Sequence, residues 1–259
     1  KEKPHLVIGF GGYVSFPICF ISKFFNIPLI IYDNNIILGR TNRYLLPFSK
    51  KVLLGPEIPK NLPDKYKNKV YKVGNILSEK IINYSILKKR KDDKTFSILV
   101  IGGSQGAEVF GRIIPTAIKM IRDKGYEIKI NQQCTKNQKE SLIEFYNKNN
   151  IKNNVFYFTN NILELILDSD LAISRCGAST AAELVHTLTP FIAVPYPYSM
   201  DNHQLLNAKY YENKGCCWIL EQENFNSLSL FNLLMEIMKD KSKLKNICEN
   251  MKKNCSKNV

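Results

Sequence analysis

Short runs of β-branched and other apolar residues alternate with longer helix-like segments through most of the chain. Brief apolar runs bounded by glycine or polar turns suit strands buried on both faces, and their alternation with helical stretches is the mark of βαβ units around a parallel sheet. The pattern predicts an α/β protein with strands at 6–10, 28–32, 51–54, 70–73, 97–101, 127–131, 155–158, 171–174, 191–194 and 217–220. Helix starts are expected at Ser15, with Pro17 just inside, at Gln105 after a glycine turn, and at Ser179-Thr180 before an alanine pair. The most apolar stretch, Phe16 to Tyr32, contains Pro17, Lys23, Asn26 and Pro28; it is too broken for a membrane span and reads as helix, turn, strand.

One break interrupts the rhythm. Between Glu79 and Thr95 the charge run KKRKDDK, at 88–94, resembles a solvated helix end, and a fresh strand, SILVIG, follows it. This places residues 1–79 in a first domain with four strands, 80–95 in a linker and 96–259 in a second domain with six. The first is small for an independent doubly wound domain. It runs into a strand almost at once and without an initiating methionine, so an earlier portion is expected.

Composition adds two constraints. With 44% hydrophobic and 23% charged residues in 259, the chain can bury a core and need not be disordered. Lys plus Arg outnumber Asp plus Glu by 37 to 23, a net charge of +14, which favours an anionic partner. The lysine and asparagine richness also has the look of a genome-wide bias, which weakens that argument. Seven cysteines, an odd number without a CxxC pair, indicate neither a zinc site nor a disulfide framework and fit a reducing cytoplasm.

Three segments carry candidate chemistry in the second domain. In ILVIGGSQGAEVFG a strand ends in Gly102-Gly103-Ser104-Gln105-Gly106, where glycines bring free N–H groups of a helix start toward a phosphate and Ser104 adds a hydroxyl. It is neither GxGxxG nor a P-loop, and a glycine turn that merely permits close packing is the alternative. In LAISRCGASTAAEL a strand is followed by Arg175, Gly177, Ser179, Thr180 and Glu183, with Glu183 expected in the first turn and placed to accept both hydroxyls of a ribose. Thr180 and Glu183 also have the spacing of a capping box, and Arg175 could neutralise phosphate or pair with an acid. In an open α/β sheet two such turns can face one nucleotide. Third, Asp201, Asn202, His203, Gln204 and Asn207 crowd one strand-to-helix junction, a setting suited to reading sugar hydroxyls. The first domain supplies GFGGYVSFP at 9–17 and the Asn-rich loop 32–45, which suggest anion or sugar contact.

Taken in order, GFGGYVS, GRTNRYL at 39–45, GGSQGA, SRCGASTAAEL at 174–184 and DNHQLLNA at 201–208 closely resemble the MurG family of peptidoglycan glycosyltransferases over nearly the whole chain. The resemblance implies a GT-B fold of two facing Rossmann-like domains with parallel sheets, the N-terminal one incomplete here. It implies an inverting transferase that moves N-acetylglucosamine from UDP-N-acetylglucosamine, a substrate and not a cofactor, to undecaprenyl-pyrophosphoryl-N-acetylmuramyl pentapeptide, with no catalytic metal. By the same match Ser104 and the adjacent turn amides of Gly103, Gln105 and Gly106 meet the diphosphate, the backbone near Thr159 lies at the uracil and Glu183 at the ribose, with Arg175, Ser179 and Thr180 also among the donor-binding residues. His203 and Gln204 read the transferred sugar, Asn35 reaches across from the other half, and Gly11, Gly12, Tyr13 and Ser15 form the acceptor side. The implied setting is the cytoplasmic face of the bacterial inner membrane, where Tyr44, Phe48, Lys50, Lys51, Lys65 and Lys67 would meet anionic lipid.

The chain departs from the family at several places. The family's His-Glu-Gln-Asn stands as Tyr32-Asp33-Asn34-Asn35, and Gly-Asn-Pro-Val-Arg as Gly74-Asn75-Ile76-Leu77-Ser78, which removes a donor-contacting arginine for which Arg40 or Arg43 could compensate. Phe16 replaces the glycine that follows GGYVS. The family's histidine base belongs to a glycine-rich loop upstream of Lys1, so no catalytic base is assigned. A piece of a longer protein or a degenerate product is expected, and the competing reading is a noncatalytic donor-binding half that needs a partner chain. Specific nucleic-acid binding is not expected, because no RNP, zinc-finger or helix-turn-helix signature accompanies the lysines.

Overall fold

In the computed structural model, residues 4–84, 95–103 and 107–254 are described. The first half has four strands, β1 (Val7–Gly9), β2 (Leu29–Asp33), β3 (Lys51–Leu54) and β4 (Val70–Lys72), all parallel and paired in chain order. Helix α1 (Ser15–Ile21) joins β1 to β2 and α2 (Arg40–Leu45) joins β2 to β3. Leu29, Ile31, Val52 and Leu54 pack with Cys19, Leu38, Leu45 and Leu46 to make its core.

The second half is a six-stranded parallel sheet of β5 (Phe96–Ile101), β6 (Ile128–Gln133), β7 (Lys152–Phe156), β8 (Leu171–Ser174), β9 (Phe191–Ala193) and β10 (Trp218–Ile219). Across the sheet they run β7-β6-β5-β8-β9-β10, the order of dinucleotide-binding doubly wound folds. Side chains alternate between faces. Ile98, Val100, Ile130, Ile173 and Ile192 meet α4 (Glu108–Asp123), α5 (Lys139–Lys148) and α9 (Ser227–Lys239) through Phe110, Ile114, Tyr146 and Leu234. Leu99, Ile101, Ala172 and Ala193 turn to α6 (Ile162–Leu167), α7 (Ala178–His186), α8 (His203–Asn213) and α10 (Lys241–Asn254).

Two expectations change. Strand β7 is Lys152–Phe156 and not 155–158. As the edge strand it accepts polar Asn153 and Asn154, and the apolar run that follows is largely exposed, with Phe158 at 73%. Helix α7 begins at Ala178, with extended Gly177 as its N-cap and no side-chain cap, so Thr180 is already helical and the Thr180–Glu183 capping box does not form. Glu183 accordingly sits in the second turn and not in the first. The stretch read as a helix end and linker begins with α3 (Glu79–Tyr84), where Ile81 joins Leu77 against Ala182 of α7.

Candidate functional site

The strand order reverses at the β5–β8 junction, where connections leave to opposite faces; in open α/β sheets the ligand crevice lies at this point, beyond the carboxyl ends of the strands. Ile101 pairs with Ser174, and the Arg175 N–H donates to the Ile101 carbonyl at 3.2 Å, so the two turns after these strands start side by side. Gly103 has φ +90°, open to glycine and strained for other residues, with no atom of the described residues within 4 Å of where a Cβ would lie. Ser104, Gln105 and Gly106, expected at a diphosphate, lie outside the described residues, as does the helix start expected at Gln105. On the neighbouring turn, the first N–H groups of α7, those of Ala178, Ser179 and Thr180, lack intrahelical acceptors by the geometry of a helix start.

Glu183 rises from α7 half-buried, and among the described residues its carboxylate has no hydrogen-bonding or ionic partner. Burial pushes its pKa up. A partly desolvated carboxylate without a partner is poorly placed for stability and well placed to accept hydroxyls brought by a ligand.

Arg175 is otherwise engaged. Its guanidinium lies 5.0 Å from the Phe110 ring centroid and 5.3 Å from that of Tyr196, donates to the carbonyls of Val194 and Pro195 at 2.9 and 3.2 Å, and donates to Gln222. No acid pairs with it among the described residues, and desolvation lowers its pKa to about 10. The side chain thereby braces the loop after β9 against α4. Thr159 follows β7; its Oγ1 accepts the Asn161 N–H at 3.0 Å and shapes the turn into α6.

The loop between β9 and α8 turns through two left-handed residues, Asp201 (φ 52°) and Asn202 (φ 54°). Nδ1 of His203 donates to the Met200 carbonyl at 2.8 Å, which in the neutral imidazole leaves Nε2 as an acceptor. The Gln204 Oε1 accepts the Tyr196 N–H at 3.0 Å, which leaves the amide NH2 as a donor. The pair thus presents one acceptor and one donor at the start of α8.

The first half contributes an ordered loop after β2. Asp33 is buried and accepts from the Asn35 N–H and Nδ2, the Gly39 N–H and the Asn42 Nδ2, all within 3.1 Å. The loop reaches the other half at several points. Asn207 of α8 donates to Asn35 Oδ1 and to the Cys176 carbonyl at 3.2 Å and accepts the Ile36 N–H at 3.1 Å, while Asn34 donates to the Ser179 hydroxyl at 3.2 Å. Asn35 is thereby linked to the second half through Asn207. The Tyr32 hydroxyl donates to the Gly74 carbonyl and accepts the Ile76 N–H, both at 3.1 Å, so the two departures at 32 and 74–78 are in contact. Ser78 leads into α3, and Arg40 pairs with Asp201.

Beside this loop, at the same end of the first sheet, Gly11 (φ +81°) and Gly12 (φ +80°) make the GGYVS turn, closed by the Ser15 hydroxyl, which donates to the Gly11 carbonyl at 2.7 Å. A Cβ on Gly11 would stand 3.3 Å from Asn42 Nδ2 in a backbone conformation L-residues resist. Tyr13 is 80% exposed at its tip.

Sequence reasoning left Asp33 as a loop organiser and exposed Phe158 beside Thr159 unassigned, and it read Asp201 and Asn207 as sugar-reading residues and Arg40 as a donor contact without foreseeing the Asn207 tether or the Arg40–Asp201 pair. Asp33 had a local signal, since an Asp accepting from the N–H two residues on is an Asx-turn. The others depend on partners more than 100 residues away or on exposure.

Comparison with known proteins agrees with this geometry. Residues 97–259 match the glycosyltransferase family 28 C-terminal domain and residues 1–54 its N-terminal domain. The UDP-N-acetylglucosamine--N-acetylmuramyl-(pentapeptide) pyrophosphoryl-undecaprenol N-acetylglucosamine transferase of Pelagibacter ubique is 36% identical over 97% of this chain and 70% of its own length. That of Rickettsia canadensis is 35% identical over 97% and 72%. The crystal structure of Acinetobacter baumannii MurG superposes with a TM-score of 0.77 at 26% identity, covering 98% of this chain and 70% of that one. The chain, with its two parallel sheets arranged as in GT-B enzymes, belongs to glycosyltransferase family 28 and within it to the MurG family.

Proposed function

We propose that the chain binds UDP-N-acetylglucosamine in the crevice at the β5–β8 junction and transfers N-acetylglucosamine, with inversion, to undecaprenyl-pyrophosphoryl-N-acetylmuramyl pentapeptide. Residues 1–79 form the acceptor side and 96–259 the donor side of this reading, joined through 80–95. The observation that carries it is the half-buried Glu183 carboxylate on α7, without a partner among the described residues, at the place where an open α/β sheet takes a nucleotide. Glu183 accepts the ribose hydroxyls, the turns at Gly103 and at Gly177 to Thr180 face the diphosphate, and Thr159 with exposed Phe158 borders the base. His203 Nε2 and the Gln204 amide meet the sugar's hydroxyls as acceptor and donor.

In the transfer, an acceptor hydroxyl forms the new glycosidic bond as the bond to UDP breaks. The hydroxyl proton goes to a base, and the electron pair leaves on the diphosphate. Preorganised N–H groups at the starts of α4 and α7 stabilise the charge that grows on the departing UDP. Isothermal calorimetry tests the reading: the chain binds UDP-N-acetylglucosamine more tightly than UDP, and Gln204→Ala removes most of that preference. Equal affinity of the unaltered chain for the two ligands would reject it.

A lipid-linked acceptor requires contact with a bilayer surface. The aromatic and basic residues expected there are partly used within the fold: Phe48 lies under Lys23, 4.5 Å from its centroid, Lys67 pairs with Asp64, and Lys51 covers Tyr71. The apolar surface is instead on and after α1, where Val14, Ile18, Phe24 and Phe25 are all more than half exposed beside Lys23. No helix of the described residues is long and apolar enough to cross a membrane. Sedimentation with vesicles containing acidic lipid is expected to carry the protein down, and Phe24→Ser with Phe25→Ser to release it; pelleting unaffected by these changes would exclude this face.

A further inference from the structure

We infer that Arg40 and Asp201 form a clasp across the crevice that positions the sugar-reading residues His203 and Gln204. The inference deepens the donor-binding reading proposed above and rests on it.

Arg40 is the first residue of α2 in the first half, and Asp201 lies in the loop before α8 in the second. The guanidinium grips the carboxylate through two nitrogens: Nη2 to Oδ1 at 2.8 Å, and Nε to both oxygens at 3.2 Å. Each partner is locally disfavoured where it stands. A cation at the start of a helix opposes the macrodipole, and no acid accompanies it in that first turn. Asp201 and the following Asn202 both hold left-handed backbone, which Asp and Asn tolerate better than other L-residues but which remains less favourable than ordinary helical or extended backbone. Local choices that contradict local preference concentrate at functional sites, where a longer-range interaction compensates them. Here the two meet each other, 161 residues apart in sequence.

The consequence falls on the next two residues but one. Asp201 precedes His203 and Gln204, so the carboxylate held by Arg40 fixes the turn from which both side chains project. Arg40 holds the Asp201 carboxyl below its ordinary pKa, and Arg43 and His203 act on it in the same direction. The groups assigned to the UDP portion, Glu183 and the turns after β5 and β8, sit on other elements, and among the described residues none of them bonds directly to Asp201, Asn202, His203 or Gln204. The clasp therefore acts on recognition of the sugar and not of the nucleotide. Because the pair is exposed, with the Arg40 side chain at 56%, it contributes little to folding, and salt screens it.

Calorimetric titration of Arg40→Ala, Asp201→Asn and the double variant with UDP-N-acetylglucosamine and with UDP, at low and high salt, tests this. Asparagine keeps tolerance for the left-handed turn while removing the charge. UDP-N-acetylglucosamine is expected to bind roughly five- to tenfold more weakly to each variant, with UDP affinity unchanged to about twofold. The double variant should be no worse than either single one, Arg40→Lys should retain part of the loss, and salt should lower the ligand preference of the unaltered chain toward that of Arg40→Ala. Equal weakening of both ligands, or none of either, overturns the clasp. If the unaltered chain does not prefer UDP-N-acetylglucosamine to UDP, the donor-binding reading falls and the clasp with it; if that preference persists unchanged in the variants, only the clasp falls.

Discussion

Glu183→Ala is expected to weaken UDP-N-acetylglucosamine binding about a hundredfold while leaving the protein at least as stable as before. Two hydrogen bonds from ribose hydroxyls to a carboxylate are charge-assisted, worth about 1.5 to 3 kcal/mol each when the partner is removed. Even the lower figure for both makes roughly 3 kcal/mol, or about two decades in Kd. Stability moves the other way, because no group of the described fold compensates the carboxylate for lost water. The sign with pH follows. Burial raises the pKa of Glu183 in the folded state, so between the ordinary glutamate value and the raised one the folded chain holds more protons than the unfolded chain, and stability falls as pH rises through that window. Glu183→Gln removes this penalty. It should raise the melting temperature at neutral pH, and the difference should vanish below about pH 4. Calorimetry and thermal melts at the two pH values check both halves, and a destabilised Gln variant would mean the carboxylate serves the fold.

The second large effect is expected at Asn207. Its side chain makes three hydrogen bonds in a buried position, two of them to the loop after β2 and one to the carbonyl of Cys176 at the end of the β8 turn. Asn207→Ala leaves the Ile36 N–H and the Cys176 carbonyl without these partners. A buried polar group stranded in this way costs about 1 to 3 kcal/mol, so a loss of roughly 3 kcal/mol in unfolding free energy is expected. The same change unties the loop carrying Asn34 and Asn35 from the crevice, and donor affinity should fall with it. Denaturant unfolding at saturating UDP-N-acetylglucosamine, compared with its absence, separates the two: ligand should restore less stability to the variant than to the unaltered chain. Asn207→Asp retains an acceptor for the Ile36 N–H and should lose less than alanine does. Unchanged unfolding in both would show that the halves are not held here.

Much of the second half was legible because strands buried on both faces leave contiguous apolar runs. SILVIG and LAIS announce β5 and β8, and the glycine turns behind them follow directly. β7 was misplaced for the converse reason: an edge strand tolerates Asn153 and Asn154, whereas the apolar run beyond it contributes exposed Phe158. The capping pattern at Thr180 and Glu183 misled because a capping box is a statement about where a helix starts, and here extended Gly177 starts it earlier. That shift matters for the proposed chemistry, since a Glu183 busy with capping would have had less to offer a ribose.

What sequence alone determined is what short-range periodicity and backbone chemistry encode: the order of ten strands, the parallel α/β class, and glycines at the turns that need them. What tertiary structure decided is how the polar side chains are spent. Arg175 is enclosed between two rings, Asn35 and Asn207 join across 172 residues, Arg40 finds Asp201, and Glu183 is left without a partner in the described fold. The reason is physical. An apolar run is buried by almost any neighbour of the same kind, but a hydrogen bond or ion pair depends on distance and direction, and those exist only once the two sheets have taken their places.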